Sequence, residues 1–271
     1  MKKLMKKLLL LAMVATLAVG TMFSMTACGE KDKGKENKLI VATEALFDPF
    51  EYVDPKTNDY TGFDIELITM LAKKMGYDGI EVKDMPFDSV LGAVSTGNAD
   101  CAIAAMTINP KRAKAVDFAT PYYEDSAQWI LVKSDDTIFT GTTKEELDAQ
   151  LVGKTIGVAK GQTGAYYVQG GGDFDFTGVQ DAKMKEYSDI PSAVAALKGG
   201  IVQCVLADNA VAEELTSKNP DIKAIKVALT VEAYGIAVKK GNAELVNKIN
   251  TALETVKKDG SFDTLYNKYF G

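Results

Sequence analysis

Short apolar strands and amphipathic helices alternate along almost the whole chain, and one helix–turn–strand unit occurs twice. Gly97-x-x-Asp100-Cys101-x-x-Ala104 aligns with Gly200-x-x-Gln203-Cys204-x-x-Ala207. Each copy follows a helical stretch, turns at a glycine and enters an apolar run. Such alternation predicts α/β layers, and the repeat predicts two lobes built alike. In an open α/β sheet, ligands bind outside the carboxyl ends of the strands. The residues just beyond Ala104 and Ala207 are therefore where a site is expected.

Periodicity places the elements. Apolar runs predict strands at 39–42, 80–82, 101–104, 116–119, 128–132, 155–159, 204–207 and 234–238. Ile65, Ile68, Leu71, Ala72 and Met75 recur at helical spacing, with Asp64 before and Gly76 after as cap signals. Further helices are expected at 90–95, 144–150, 190–197, up to Lys218, and at 243–258 and 262–269. Gly161-Gln162-Thr163-Gly164 opens another helix, and Gly170-Gly171-Gly172 breaks it. The pattern restarts after Lys133, and Trp129 falls on the strand that crosses between halves.

The N-terminus reads as a targeting segment. Lys2, Lys3, Lys6 and Lys7 precede an apolar stretch at 8–19, of signal-peptide length and short for a membrane span. Met25-Thr26-Ala27-Cys28 resembles a bacterial lipobox, although the residues alone also fit an ordinary cleavage site. The charged run at 29–38 has no apolar anchor and reads as a solvated tether. We therefore expect a lipoprotein signal peptide at 1–27, lipidation at Cys28 and a tether at 28–38. One acyl chain holds weakly, and the diacylglyceryl group of bacterial lipoproteins supplies more than one. The expected location is the cell membrane, anchored on its extracytoplasmic face. Loss of residues 1–27 removes four lysines and no acid, taking the formal charge from −6 to about −10. That balance argues against nucleic acid or anionic lipid as a broad-surface partner.

Cys101 and Cys204 each sit in an apolar run, where a thiol behaves as a small hydrophobe. Their matching places in the repeat predict that they are unpaired and in different lobes. The chain contains no histidine. Ser/His and Cys/His nucleophiles and the usual zinc sites are thereby excluded. No catalytic residue, metal or cofactor is expected.

Past Ala104 the sequence runs Ala105-Met106-Thr107-Ile108-Asn109-Pro110-Lys111-Arg112. Asn109 suits a helix N-cap and Pro110 a first helical position. Thr107 and Arg112 then converge on one small anion, which a guanidinium fork holds best. By itself such an arginine equally suits an exposed ion pair.

The surrounding motifs carry a resemblance. They are Ala42-Thr43-Glu44-x-x-Phe47-x-Pro49-Phe50-Glu51, Gly62-Phe63-Asp64-Ile65, Ala105-Met106-Thr107-Ile108-x-x-x-Arg112, Val116-Asp117-Phe118-Ala119-x-Pro121-Tyr122-Tyr123, Gly157-Val158-x-x-Gly161-x-Thr163-Gly164, and the closing Asp259-Gly260-Ser261-Phe262 with Tyr269-Phe270-Gly271. In this order the chain resembles, over 39–271, the amino-acid-binding proteins of bacterial ABC importers (family 3 extracellular solute-binding proteins). The resemblance implies the two-lobed type II periplasmic binding fold, each lobe a mixed sheet flanked by helices. Lobe 1 would be 39–126 plus 234–271 and lobe 2 would be 127–233, with hinge crossings near 126–133 and 230–234. The implied function is capture of a free L-amino acid by hinge closure and its delivery to ABC permease subunits, by a monomer.

The resemblance also implies roles. Arg112 would clamp the ligand α-carboxylate, aided by Thr107 and by backbone N–H groups near Gln162 and Thr163. Asp208 would take the α-ammonium, with the Ala105 carbonyl and the Thr107 hydroxyl as further acceptors and Ala104 lining the same turn. Its other reading is the N-cap of the following helix. Phe47 and Phe87 would sandwich the ligand side chain, positions that also suit plain core packing. Glu44 would face the far end of that side chain, or else solvent. Family members often carry glycine or serine at 105, a hydrogen-bonding residue at 207, a lysine at 159 and an aspartate at 203. Here these are Ala105, Ala207, Ala159 and Gln203; the three alanines remove polar handles, and with Glu44 the main charge near the rim a cationic or neutral polar ligand is favoured over glutamate or glutamine. Two other functions share the fold: a cyclohexadienyl or arogenate dehydratase, with Glu44 or Asp208 as general acid or base, and a ligand sensor for a membrane receptor.

Overall fold

Two five-stranded sheets share one plan in the computed structural model, which describes residues 36–170 and 176–271. The chain opens with β1 (Lys38–Thr43), β2 (Leu46–Phe47), β3 (Glu51–Val53), β4 (Tyr60–Thr61), α1 (Phe63–Lys74), β5 (Gly79–Asp84), α2 (Phe87–Thr96), β6 (Cys101–Ala102), α3 (Pro110–Ala115) and β7 (Val116–Phe118). β8 (Tyr123–Ser126) leads to β9 (Gln128–Lys133), α4 (Lys144–Leu151), β10 (Thr155–Ala159), α5 (Thr163–Gln169), β11 (Lys183–Tyr187), α6 (Ile190–Lys198), β12 (Cys204–Asp208), α7 (Asn209–Lys218) and β13 (Ile222–Ile225). β14 (Glu232–Tyr234) and β15 (Ala237–Lys239) precede α8 (Ala243–Lys258) and α9 (Ser261–Phe270).

One sheet has the order β5-β1-β6-β15-β7 and the other β11-β10-β12-β9-β13. In both, the first three strands are parallel, and the fourth runs antiparallel to the central strand. The repeat supplies both central strands: Cys101 pairs with Val41, and Cys204 with Ile156. The cysteines are buried and free. Asp100 and Gln203 explain why the repeat tolerates two residue types. The Ile40 N–H donates to Asp100 Oδ2 at 2.8 Å, and the Thr155 N–H donates to Gln203 Oε1 at 2.9 Å. A carboxylate and an amide oxygen serve equally as acceptors.

The two passages between the sheets pair with each other. β8 and β14 form an antiparallel ladder with Glu232 opposite Ser126 and Tyr234 opposite Tyr123. Tyr123 and Tyr234 stack with ring centroids 5.3 Å apart, and Phe50 meets both edge-on at 5.1 and 5.3 Å. Phe270 of the closing motif reaches the same cluster, 5.2 Å from Phe50. The C-terminal helix thus packs against the two passages.

Several expectations need correction. The strand expected at 234–238 splits into β14 and β15. Between them the Gly235 N–H bonds the Met106 carbonyl at 3.0 Å, and a Cβ there would lie 2.7 Å from Ile108. β6 ends at Ala102, because the chain turns away before Ala105. Asp64 is no cap; it lies inside α1, fully buried. The first passage is β8, and 128–133 already belongs to the second sheet. The edge strands β11 and β13 and the small β2-β3-β4 sheet were not expected. The signal peptide, Cys28 and most of the tether lie outside the described residues. The tether's end is tied down: the Asn37 N–H donates to Asp78 at 2.7 Å, and Lys38 already begins β1. Among the described residues no helix is long and apolar enough to cross a membrane.

Candidate functional site

Arg112 is placed by its own short helix. Asn109 accepts the Arg112 N–H at 2.8 Å, and Pro110 takes the first helical position, where no donor is needed. The side chain is buried. Nη1 donates to the Thr107 carbonyl at 2.6 Å, and Nη2 donates to the Gly161 carbonyl of the second sheet's lobe at 3.0 Å. Its Cζ lies 5.0 Å from the centre of the Phe87 ring, a cation–π distance. Burial lowers the guanidinium pKa, and Tyr166, Glu232 and Asp208 oppose that shift.

Ala105 holds a left-handed backbone at φ 43°, unusual for a residue with a Cβ. Its N–H is held by Asp64 Oδ2 at 2.8 Å, which also accepts the Tyr122 hydroxyl at 2.6 Å. Burial raises the Asp64 pKa to about 6 against these two bonds. The buried Asp64 of the Gly62-Phe63-Asp64 motif thus fixes the turn that presents Ala104, Ala105 and Thr107.

Asp208 ends β12, and its side chain leaves the following helix uncapped. It accepts instead from Gln128 Nε2, from the Tyr234 hydroxyl and, at 3.4 Å, from the Ser126 hydroxyl. Burial and then the nearby Glu232 push its pKa up to about 7, against the bonds from Tyr234 and Gln128 and the charge of Arg112. Glu232 accepts from Thr107, Thr230 and Gln128. Thr107 Oγ1 also lies 3.1 Å from Thr163 Oγ1 across the cleft.

Phe47, Phe87, Ala104, Ala105, Thr107, Arg112, Gln162, Thr163 and Asp208 line one small cavity of about 10 Å³. That is room for roughly one water. Every residue expected in the site is there except Glu44. Glu44 lies one step outward, buried, accepting from Gln162 Nε2 at 3.1 Å and from the Phe87 N–H at 3.3 Å. It opens onto a second cavity of about 260 Å³, shared with Leu46, Asp84, Met85, Pro86, Ser188 and Asp189. Burial first, then Asp189 and Asp84, raise its pKa to about 7 against the bonds from Phe87 and Gln162. Phe47 and Phe87 are both buried at the cavity wall. Rim contacts close the cleft: Lys160 to Asp88 at 2.8 Å, Lys218 to Asp48 at 2.6 Å, and Lys111 over the Tyr166 ring at 4.3 Å.

Gln128, Glu232, Tyr234 and Asp64 were not expected in this network. Asp64 stands in one of the quoted motifs at a place that suits a cap, yet it works from inside α1, holding the Ala105 N–H. Glu232 gives no periodic signal; it falls in the crossing expected near 230–234, with no role assigned to it.

The chain matches the family described as bacterial extracellular solute-binding proteins, family 3, over residues 39–271. It is 34% identical to the putative ABC transporter arginine-binding protein 2 of Escherichia coli K12, over 98% of this chain and 99% of that one. It is 32% identical to a probable histidine-binding protein of Neisseria gonorrhoeae, over 95% and 94%. Among solved structures it resembles an ancestral arginine-binding protein bound to arginine, at 40% identity and a TM-score of 0.77, covering 87% of this chain and 99% of that one. The mixed sheets flanked by helices are those of the type II periplasmic binding fold. On the family match and the near full-length likeness to its relatives, this chain belongs to the bacterial extracellular solute-binding proteins of family 3.

Proposed function

We propose that the protein captures a free L-amino acid with a cationic side chain, arginine first, and delivers it to the permease of an ABC importer. The observation that carries the ligand class is the acidic wall beyond the cavity. Glu44, Asp84 and Asp189 share one space, and none of the residues lining it is cationic. A buried cation needs such a partner, because an unpaired one is expensive to desolvate. The arginine-binding names of the relatives support the same choice.

In this reading Arg112 takes the α-carboxylate, with Thr163 opening α5 opposite, where first-turn N–H groups lack helical acceptors. Asp208 takes the α-ammonium, and Phe47 and Phe87 flank the aliphatic stem. The guanidinium replaces the Gln162 amide at Glu44. Residues 39–126 with 234–271 and residues 127–233 move as two lobes about β8 and β14. Closure is driven by contacts that only the closed form makes. The protein acts as a monomeric binding protein and not as an enzyme. It is held at the extracytoplasmic face of the membrane through Cys28, after removal of 1–27.

A calorimetric screen of the purified protein against the common amino acids tests this. Arginine or lysine binding is expected, with stability raised by about 2.7 kcal/mol at ~100 times the dissociation constant. Binding of neutral amino acids without arginine or lysine would reject the ligand class. Turnover of prephenate or arogenate would reject the non-enzymatic reading.

A further inference from the structure

Glu232 lies behind the residues assigned to the ligand, on the second passage between the lobes. Its carboxylate meets donors only. Oε2 accepts the Thr107 hydroxyl at 2.5 Å, and Oε1 accepts the Thr230 hydroxyl at 2.7 Å and Gln128 Nε2 at 3.1 Å. The Thr230 oxygen in turn accepts the Gln128 backbone N–H at 2.8 Å, which leaves the Thr230 proton for Glu232; toward Thr107 and Gln128 the carboxylate itself can only accept.

A hydroxyl has one proton. That of Thr107 is committed to Glu232, which leaves its oxygen with lone pairs alone for the cleft. In the 3.1 Å contact between Thr107 and Thr163, Thr163 is then the donor. Gln128 follows the same logic. Its Nε2 donates to both Asp208 and Glu232, and its Oε1 is turned to α5, 3.0 Å from where a Cβ on Gly164 would stand.

We infer that Glu232 is a specificity-determining positioning residue: it commits the Thr107 hydroxyl to accept, and so makes the inner end of the cleft a receptor for an ammonium group. This rests on Asp208 being the ammonium partner. An ammonium offers three protons, and Asp208 and Thr107 Oγ1 accept two of them. A carboxylate in the same place meets a carboxylate and a hydroxyl with no proton to give. The orientation of the ligand follows, with its ammonium inward and its carboxylate toward Arg112.

Glu232→Gln tests the inference. The amide oxygen is needed where Thr230 and Gln128 donate, so the new N–H₂ faces Thr107 and reverses its hydroxyl. The measurement is calorimetric affinity for L-arginine and for its des-amino analogue, 5-guanidinopentanoate, on wild type, Glu232→Gln, Thr107→Val and the double variant. Wild type is expected to prefer L-arginine, and Glu232→Gln to reduce that preference by about tenfold or more. Thr107→Val is expected to reduce it too, and the double variant to lose no more than Thr107→Val alone. Glu232→Ala removes the acceptor without adding a donor. It is expected to move the ratio in the same direction, and it decides the matter should Glu232→Gln not fold. An unmoved ratio in Glu232→Gln, or full additivity with Thr107→Val, overturns the inference while L-arginine binding to wild type stands. A wild type that binds neither compound overturns the proposed ligand class and this inference with it.

Discussion

The guanidinium of Arg112 reaches across the cleft to the carbonyl oxygen of Gly161 at 3.0 Å. One fork therefore belongs to both lobes, and it lies within the lining of the cavity that nearly all the candidate residues share. Arg112→Ala is expected to abolish binding of every amino acid, whatever its side chain. Truncating one partner of a buried charge pair costs about 2–5 kcal/mol, or roughly 30-fold to several thousand-fold in affinity. The fold is expected to persist, since the Asn109 cap on the Arg112 N–H does not need the side chain, and the guanidinium bonds found among the described residues run to two backbone carbonyls lining the cleft. Calorimetry giving near-normal affinity would remove Arg112 from the site.

Glu44→Gln separates the ligand classes. The carboxylate Oε1 accepts the Phe87 N–H and Oε2 accepts Gln162 Nε2; a single amide oxygen can keep the Phe87 bond, and Gln162 keeps the other by turning its own amide oxygen toward the new N–H₂. The negative charge of the carboxylate is what a guanidinium would lose. Arginine affinity is expected to fall more than about tenfold, in line with a charge-assisted bond, while a neutral amino acid is barely affected. Equal loss for both would show that Glu44 acts through packing.

Four buried carboxyls make stability depend on pH. Burial holds Glu44 and Asp208 near 7, Asp64 near 6 and Glu51 well above its ordinary value, against the ~4 of an unfolded chain. Between about pH 4 and 7 the native protein therefore keeps protons that the unfolded chain has released. Stability of the ligand-free protein is expected to fall as pH rises through that window. A bound cation favours the ionised carboxylates, so arginine affinity is expected to rise over the same range. Melting curves between pH 5 and 8, with and without arginine, check both signs. Asp208→Asn is expected to flatten the ligand-free slope. A ligand-free midpoint independent of pH would contradict the assignment.

Gly62→Ala is expected to destabilise the fold. Gly62 sits at φ 115°, and a Cβ there would fall 2.2 Å from the Phe50 carbonyl oxygen. Neither the backbone angle nor the clash is relieved by a side-chain rotation. The loss is expected to exceed about 1 kcal/mol, which is roughly 2–4 °C or more in Tm for a chain of this size. An unchanged melting temperature would mean the Phe50 turn yields easily.

Cys28→Ser is expected to release the protein from membranes, as the Met25-Thr26-Ala27-Cys28 segment predicts. Fractionation after a high-salt wash checks this; continued membrane association of the serine form would end the lipoprotein reading.

Much of this architecture was legible because the strands that matter are apolar and central. β10 and α8 fall at the expected residues, and the repeated glycine–cysteine unit marked the middle of each sheet. The edge strands β5 and β7 of the first sheet were legible, but the edges β11 and β13 of the second were not. Lys183–Tyr187 alternates lysine with other side chains on a half-exposed edge, where burial does not impose an apolar pattern. The site divides in the same way. Arg112 and Asp208 stand beside a cap and a strand end that the sequence marks, whereas the two phenylalanines come from the family resemblance alone. Glu232 and Gln128 matter only because two passages meet in space, and no local pattern records that meeting.

The paired passages β8 and β14 carry a mechanical consequence. A single strand between two bodies acts as a ball joint and lets them swivel freely. Two strands bonded edge to edge permit one easy bend and oppose twist and slide. In the proposed cycle, opening and closing would retrace one path, and every filled molecule would present the same outline. A partner that reads shape alone can tell full from empty without touching the cargo. Adding one residue to either passage would offset the halves by about 3.3 Å, enough to carry Thr107 past Thr163 and leave the outline unmade.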